Sequence, residues 1–81
     1  MDIYPSSRQI TLDFTEVLFI QETYADALDA DRFGVHAGDV IFVVCNNTPD
    51  GGYPGSYDNG QDCVATTMEL AVILAREYAN A

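Results

Sequence analysis

The segment that most constrains the fold of this chain is residues 40–45, with the sequence VIFVVC. Side chains alternate between the two faces of a strand, so a strand that is apolar at every position has to be covered on both sides. We therefore predict a central strand here. The chain has 81 residues, which allows one modest core, and we predict a single compact domain over residues 1–81.

Weaker patterns place two elements before this strand. Apolar and polar residues alternate over residues 8–12, which predicts a short strand. Asp13 and Glu16 have the spacing of a capping box, and the residues after them have helical periodicity, so we predict a first helix over residues 14–30. Its core face contains Val17, Ile20, Gln21, Tyr24, Ala27 and Leu28. An alternative interpretation begins this helix at Ser7 and leaves no strand at residues 8–12.

The region around and after the central strand is rich in turn residues. Gly34 and Gly38 bracket a turn that precedes the strand. Residues 46–60 contain Pro, Gly, Asn and Asp throughout, which predicts a long irregular loop, with a hairpin turn at Asn59-Gly60 as one way for it to end. Residues 61–65 then predict a further short strand.

A second capping box, Thr66-x-x-Glu69, predicts a second helix over residues 67–79. The polar residues of this helix share one narrow face, so we expect the rest of it to be covered, by this fold or by a partner. The predicted fold class is α+β. A small sheet of about three strands packs with two helices, in the order strand-helix-strand-strand-helix.

Residue types that carry catalysis or bind metals are sparse. Cys45 and Cys63 are too few for a disulfide scaffold, so we expect reduced, buried thiols, with a bond between them as the alternative. His36 and the cysteines lack the spacing of a zinc site, and we expect His36 to be a solvated turn residue. Asp29-x-Asp31-x-x-Gly34 begins like a calcium loop but has no oxygen ligands at its later positions. We predict no catalytic residue, no metal, no cofactor and no enzymatic activity.

The charge is the strongest indication of function. The chain has 13 acidic residues, three Arg and no Lys, for a formal net charge of −10. Direct binding to nucleic acid or to an anionic membrane is disfavoured, because both require basic side chains. The chain shows no signal peptide and no apolar stretch of membrane-spanning length, so we expect a cytoplasmic protein. Its expected partner is a strongly basic protein surface, of the kind that holds nucleic acid.

Two segments are the candidate contact surfaces. On the predicted first helix, Glu22, Asp26 and Asp29 lie at i, i+4 and i+7, Asp31 continues this stripe, and Phe19 lies at its edge. No Lys neutralises them, and Asp29 and Asp31 fall near the predicted helix C-terminus, where anions are unfavourable. We therefore predict a partner-binding stripe, with a plain solvated face as the alternative; Phe19 is either an interface residue or buried under the second helix. The second candidate is the polar loop, with partner-binding residues Asp50, Tyr53, Tyr57 and Asp58.

The chain resembles the small acidic phage-encoded anti-CRISPR proteins in its size, its charge, its small sheet and its C-terminal helix, which is opened by Thr66-Thr67-Met68-Glu69. The resemblance is nearest to the inhibitors of type I systems, type I-C among them. The resemblance implies an inhibitor in the bacterial host cytoplasm that binds a basic surface of a Cas surveillance complex and blocks target-DNA binding by DNA mimicry. That family has no shared motif, so no functional residue is carried over.

The charge fits a second class equally well. An antitoxin, an immunity-type protein or an anti-restriction protein that covers a basic nuclease, or another nucleic-acid-handling protein, would need the same acidic face. Both a monomer and a homodimer fit the sequence.

Overall fold

The computed structural model describes residues 7–48 and 63–80. The described residues contain four strands and two helices. In chain order they are β1 (Arg8–Thr11), β2 (Leu18–Tyr24), α1 (Ala27–Phe33), β3 (Val40–Asn46), β4 (Val64–Ala65) and α2 (Met68–Ala79). The strands form one antiparallel sheet in the order β1-β2-β3-β4. The predicted α+β class is confirmed, with four strands rather than three.

The element that sequence patterns missed is β2. The predicted helix over residues 14–30 is wrong for most of its length, because residues 18–24 are a strand. Within β2 the alternating residues Leu18 and Ile20 are buried, while Phe19 between them is half-buried. β2 pairs with β1 on one side and β3 on the other, so its backbone groups are satisfied by two neighbours. Its aromatic and β-branched side chains suit that position.

The predicted core face of the first helix is also wrong. Ile20 is buried, but Val17 and Leu28 are each 64% exposed. Asp13 lies in a turn and does not begin a helix. The predicted strand at residues 8–12 is confirmed over Arg8–Thr11, and the alternative helix from Ser7 is therefore excluded.

The predicted central strand is confirmed as β3, which lies between β2 and β4. Ile41 and Cys45 on one face and Val44 on the other are buried. The predicted strand at residues 61–65 is observed as β4, and residues 61–62 lie outside the described residues. The predicted loop lies outside them from residue 49 onward, including Asn59-Gly60.

The second helix is confirmed and covers one face of the sheet. The hydroxyl of Thr67 accepts a hydrogen bond from the Leu70 amide at 3.2 Å, so the cap lies one residue after the predicted Thr66. Ala71 and Ala75 are fully buried, and their small side chains bring α2 close to the strands. The core lies between α2 and the sheet and consists of Leu12, Leu18, Ile20, Val44, Cys63, Ala65, Ala71 and Ala75.

Candidate protein-binding surface

α1 is a surface helix that adds no buried residue to the molecule. None of its seven residues is buried, and Leu28 points largely into solvent. The helix ends at Gly34, whose φ of 71° is the left-handed conformation that commonly closes helices. A helix normally forms because one of its faces is covered. Packing within the described residues therefore does not explain why α1 is present.

The N-terminus of α1 is closed by two acidic residues that cap each other. Asp26 Oδ1 accepts a hydrogen bond from the Asp29 amide at 2.8 Å, and Asp29 Oδ2 accepts one from the Asp26 amide at 3.3 Å. Both carboxylates therefore lie at the positive end of the helix dipole, where anions are favourable. The predicted position of Asp29 near a helix C-terminus is wrong, because α1 begins where the predicted helix was to end.

Hydrogen bonds at the base of α1 fix its position between β2 and β3. The buried Ala25 donates its amide to the Asp39 carbonyl at 2.8 Å and accepts from the Gly38 amide at 2.7 Å. Asp39 Oδ2 in turn accepts from the His36 amide at 3.0 Å. His36 is exposed, with Nδ1 3.7 Å from the same carboxylate, which confirms the predicted solvated turn. α1 is thus a short helix in the connection from β2 to β3, and hydrogen bonds between the residues that flank it hold it in place.

We call Asp26, Leu28, Asp29 and Asp31 the acidic helix surface. Asp26, Leu28 and Asp31 are exposed and Asp29 is half-buried. One cation, Arg32, lies in the last turn of α1. Among the described residues, the only pair between an arginine and a carboxylate is formed by Arg8 and Glu22, away from α1. The structure therefore gathers three of the predicted site residues on one short helix.

Glu22 does not belong to this surface. It lies on β2 directly opposite Arg8 on β1, and the two side chains are 3.2 Å apart from Nη2 to Oε1. The predicted stripe at i, i+4 and i+7 is wrong, because a strand separates Glu22 from the helix that carries Asp26 and Asp29.

Phe19 lies on β2, opposite Thr11 and Cys45. Successive strand residues face opposite ways, and α2 packs on the face that carries Leu18 and Ile20. The predicted alternative, burial of Phe19 under α2, is therefore wrong. Phe19 is half-buried on the second face of the sheet and is not part of the acidic helix surface.

The four predicted loop residues, Asp50, Tyr53, Tyr57 and Asp58, lie outside the described residues, and their role in binding stays a prediction.

The thiols are buried and unreactive in character. Cys45 and Cys63 are not joined by a disulfide, and both are shielded from solvent. Burial raises the pKa of the Cys45 thiol from 9.0 to about 11, and the neighbouring Cys63 adds to the rise. The Cys45 thiol donates a long hydrogen bond of 3.7 Å to the Val43 carbonyl. Within residues 7–48 and 63–80, no group of three His, Cys, Asp or Glu side chains could hold a metal ion.

An apolar groove that the sequence analysis did not predict lies beside α1. It has a volume of about 310 Å³ and is lined by Phe33 of α1, by β4 and by Leu70, Ile73 and Leu74 of α2. The sequence feature that could have indicated this groove is the nearly all-apolar second helix, of which this fold covers only one side. Leu70 and Ile73 remain 49% and 47% exposed.

Among the described residues, no helix has both the length and the apolar character needed to cross a membrane. Comparisons of the chain with models of protein families, with curated proteins and with solved structures found no match.

Proposed function

We propose that this protein is a non-enzymatic inhibitor that binds a basic, nucleic-acid-holding surface of another protein, with the acidic helix surface of α1 at the contact. The first partner to test is the DNA-binding surface of a type I Cas surveillance complex, because the chain resembles the acidic inhibitors of such complexes. Binding there would exclude target DNA by occupying the basic residues that contact phosphates.

The observation that carries the proposal is that α1 and its N-cap residue combine three carboxylates with an exposed leucine, and that α1 has no buried residue. Folding within the described residues gains little apolar burial from this helix. The capping box and the Ala25 hydrogen bonds nevertheless hold it in a fixed position, which supports a role in contact with a partner. An apolar side chain among charges is also the common composition of an interface centre and its rim.

The charge of the whole chain supports the same proposal. The described residues contain nine acidic residues and three arginines, which leaves a formal charge of −6 on this part alone. One arginine is already engaged by Glu22. The resulting negative field would accelerate the encounter with a basic surface and would weaken as salt screens it.

The proposal is tested by the binding of target DNA to a type I Cas surveillance complex, with the protein present at increasing concentration. We expect inhibition by the wild type at about 0.05 M salt and much weaker inhibition at about 0.5 M, where the screening length falls well below 8 Å. Asp31→Lys should weaken inhibition, because Asp31 is an exposed charge of α1 that takes no part in the capping box.

Glu16→Lys is the matched control. It changes the net charge by the same amount at an exposed turn outside α1. Equal loss of inhibition in both variants would contradict a contact centred on α1, and inhibition that does not respond to salt would contradict the electrostatic account. DNA binding that is unchanged by the wild-type protein at either salt concentration would reject the Cas complex as the partner.

A further inference from the structure

The apolar groove beside α1 lies on a side of α2 that presents two large exposed aliphatic residues. Leu70 and Ile73 are about half exposed, and Leu74 lines the groove with them. These three residues and Glu77 occupy positions i, i+3, i+4 and i+7 of α2, which lie on one side of a helix. The groove is thus lined on its α2 side by three apolar residues of one helical stripe, and Glu77 is the next position of that stripe.

The groove meets α1 at the last residue of that helix. Phe33, which lines the groove, is the last residue of α1 and follows Asp29 and Asp31 by four and two positions. A ligand in the groove therefore lies next to the element that we propose as the contact for a basic partner. Asp29, four positions before Phe33, lies on the same side of α1 as Phe33, whereas Asp31, two positions before it, faces away from the groove.

The charges around the groove favour a basic occupant. Asp29 on α1 and Glu77 on α2 are acidic and lie four positions from the groove residues Phe33 and Ile73, and Arg32 is the cation next to Phe33 in the sequence. Arg76, the one cation of α2, lies over the ring of Phe14, 4.4 Å from its centroid, and lines a different cavity with Phe14 and Ile10. It is therefore engaged away from the groove, and the acids Asp29 and Glu77 on the two helices beside the groove favour a basic occupant.

We propose that the groove binds an amphipathic helix of the partner protein, with apolar side chains at i, i+3, i+4 and i+7 and with Lys or Arg on either side of them. This inference rests on the proposed function, and it names the segment of the basic partner that is recognised. A helix fits better than an added strand, because β4 has only two residues and offers few backbone groups for pairing. A second copy of the chain is disfavoured, because each copy carries a formal charge of −10.

Two synthetic peptides of identical composition test the inference. One is a Lys-rich helix with Leu at i, i+3, i+4 and i+7, and the other distributes the same Leu residues around the helix. Binding to the full chain is measured by isothermal titration calorimetry, and the site is located by amide chemical-shift changes. We expect the amphipathic peptide to bind at least about tenfold more tightly and to shift the amides of Phe33, Leu70 and Ile73.

The double variant Leu70→Gln, Ile73→Gln should lose that preference, so that both peptides bind alike. Gln is a good helix former, and both positions are exposed, so α2 should persist. Val17→Gln is the matched control, since it replaces another exposed aliphatic residue outside the groove and should leave both affinities unchanged. If the double variant lowers the melting temperature, Ile73→Gln alone serves for the same comparison.

The outcomes separate this inference from the proposed function. Equal affinity for both peptides with no effect of the double variant would overturn the groove inference, while salt-dependent binding of both would leave the proposed function standing. If the double variant loses the preference for the amphipathic peptide while Asp31→Lys leaves inhibition unchanged, the groove inference is supported and the acidic contact is contradicted. A wild-type dimer in light scattering that the double variant converts to monomer would overturn the inference in favour of a second copy.

Discussion

At the scale of single residues, the carboxylates of this chain have different tasks despite their similar appearance in the sequence. Glu22 pairs with Arg8 across two strands, Asp26 and Asp29 cap α1, and Asp39 holds the turn that follows it. Asp31 has no such hydrogen bond among the described residues. A charge reversal at Asp31 therefore breaks none of these hydrogen bonds or ion pairs.

Replacing Asp26 with Ala should open α1 locally without unfolding the protein. Loss of an N-cap costs about 1 kcal/mol, which corresponds to roughly fivefold faster exchange of the Asp29 amide. The melting temperature should change little, because α1 contributes no buried residue. Hydrogen exchange and thermal unfolding measure the two quantities, with Asp31→Ala as the control that keeps the cap. A large fall in melting temperature would show that α1 supports the core.

The raised pKa of Cys45 predicts an alkaline loss of stability. The folded protein keeps this thiol protonated up to about pH 11, while the unfolded chain ionises it near 9.0. Its contribution to stability is thus fully present below pH 9 and is lost between about pH 9 and 11. The loss is about 3 kcal/mol at most, because one pKa unit corresponds to about 1.36 kcal/mol. Urea unfolding of the wild type and of Cys45→Ala across this range isolates the effect, since the variant should lack this component.

At the scale of elements, the two helices differ in what their caps support. α2 carries Ala71 and Ala75 into the core, whereas α1 buries nothing. The same kind of hydrogen bond, from a cap side chain to a backbone amide, therefore has a global consequence in one helix and a local one in the other.

Replacing Thr67 with Ala should lower the stability of the whole domain. The lost cap costs about 1 kcal/mol, and for a domain of this size that corresponds to a fall of about 4–8 °C in melting temperature. Differential scanning calorimetry measures it, and Thr67→Ser, which retains the hydroxyl, is the control. An unchanged melting temperature would mean that the first turn of α2 contributes nothing to the core.

At the scale of the whole molecule, the excess of acids acts on folding as well as on binding. Thirteen acidic residues and three arginines repel one another on balance in the compact state. The screening length is about 30 Å at 0.01 M salt and about 3 Å at 1 M, so salt removes most of this repulsion.

We therefore expect sodium chloride to stabilise the free protein while it weakens the proposed complex. The urea midpoint should rise between about 0.01 M and 0.5 M salt, over the range in which binding to a basic partner falls. Glu16→Lys should reduce the salt dependence of the urea midpoint by removing part of the repulsion. A midpoint that falls with added salt would show that favourable ion pairs outweigh the repulsion.

The sequence by itself determined the elements whose local sequence pattern favours the same structure as their tertiary environment. The wholly apolar residues 40–45 predicted the central strand, and the capping threonines followed by an apolar run predicted α2 to within a residue at its start. The net charge, the buried thiols and the solvated His36 also followed from composition and local pattern. For the central strand and for α2, the local backbone preference and the burial of the side chains favour the same structure.

Only the tertiary structure decided residues 18–24 and, with them, the candidate surface. Ile20 and Tyr24 fit a helical face as well as a strand, and the strand is formed because β1 and β3 supply backbone partners that are distant in sequence. The sequence does contain a capping box for a first helix, but it is formed by Asp26 and Asp29, after β2, and not by Asp13 and Glu16. The groove beside Phe33 likewise depends on α1, β4 and α2 meeting, and no local pattern contains that contact.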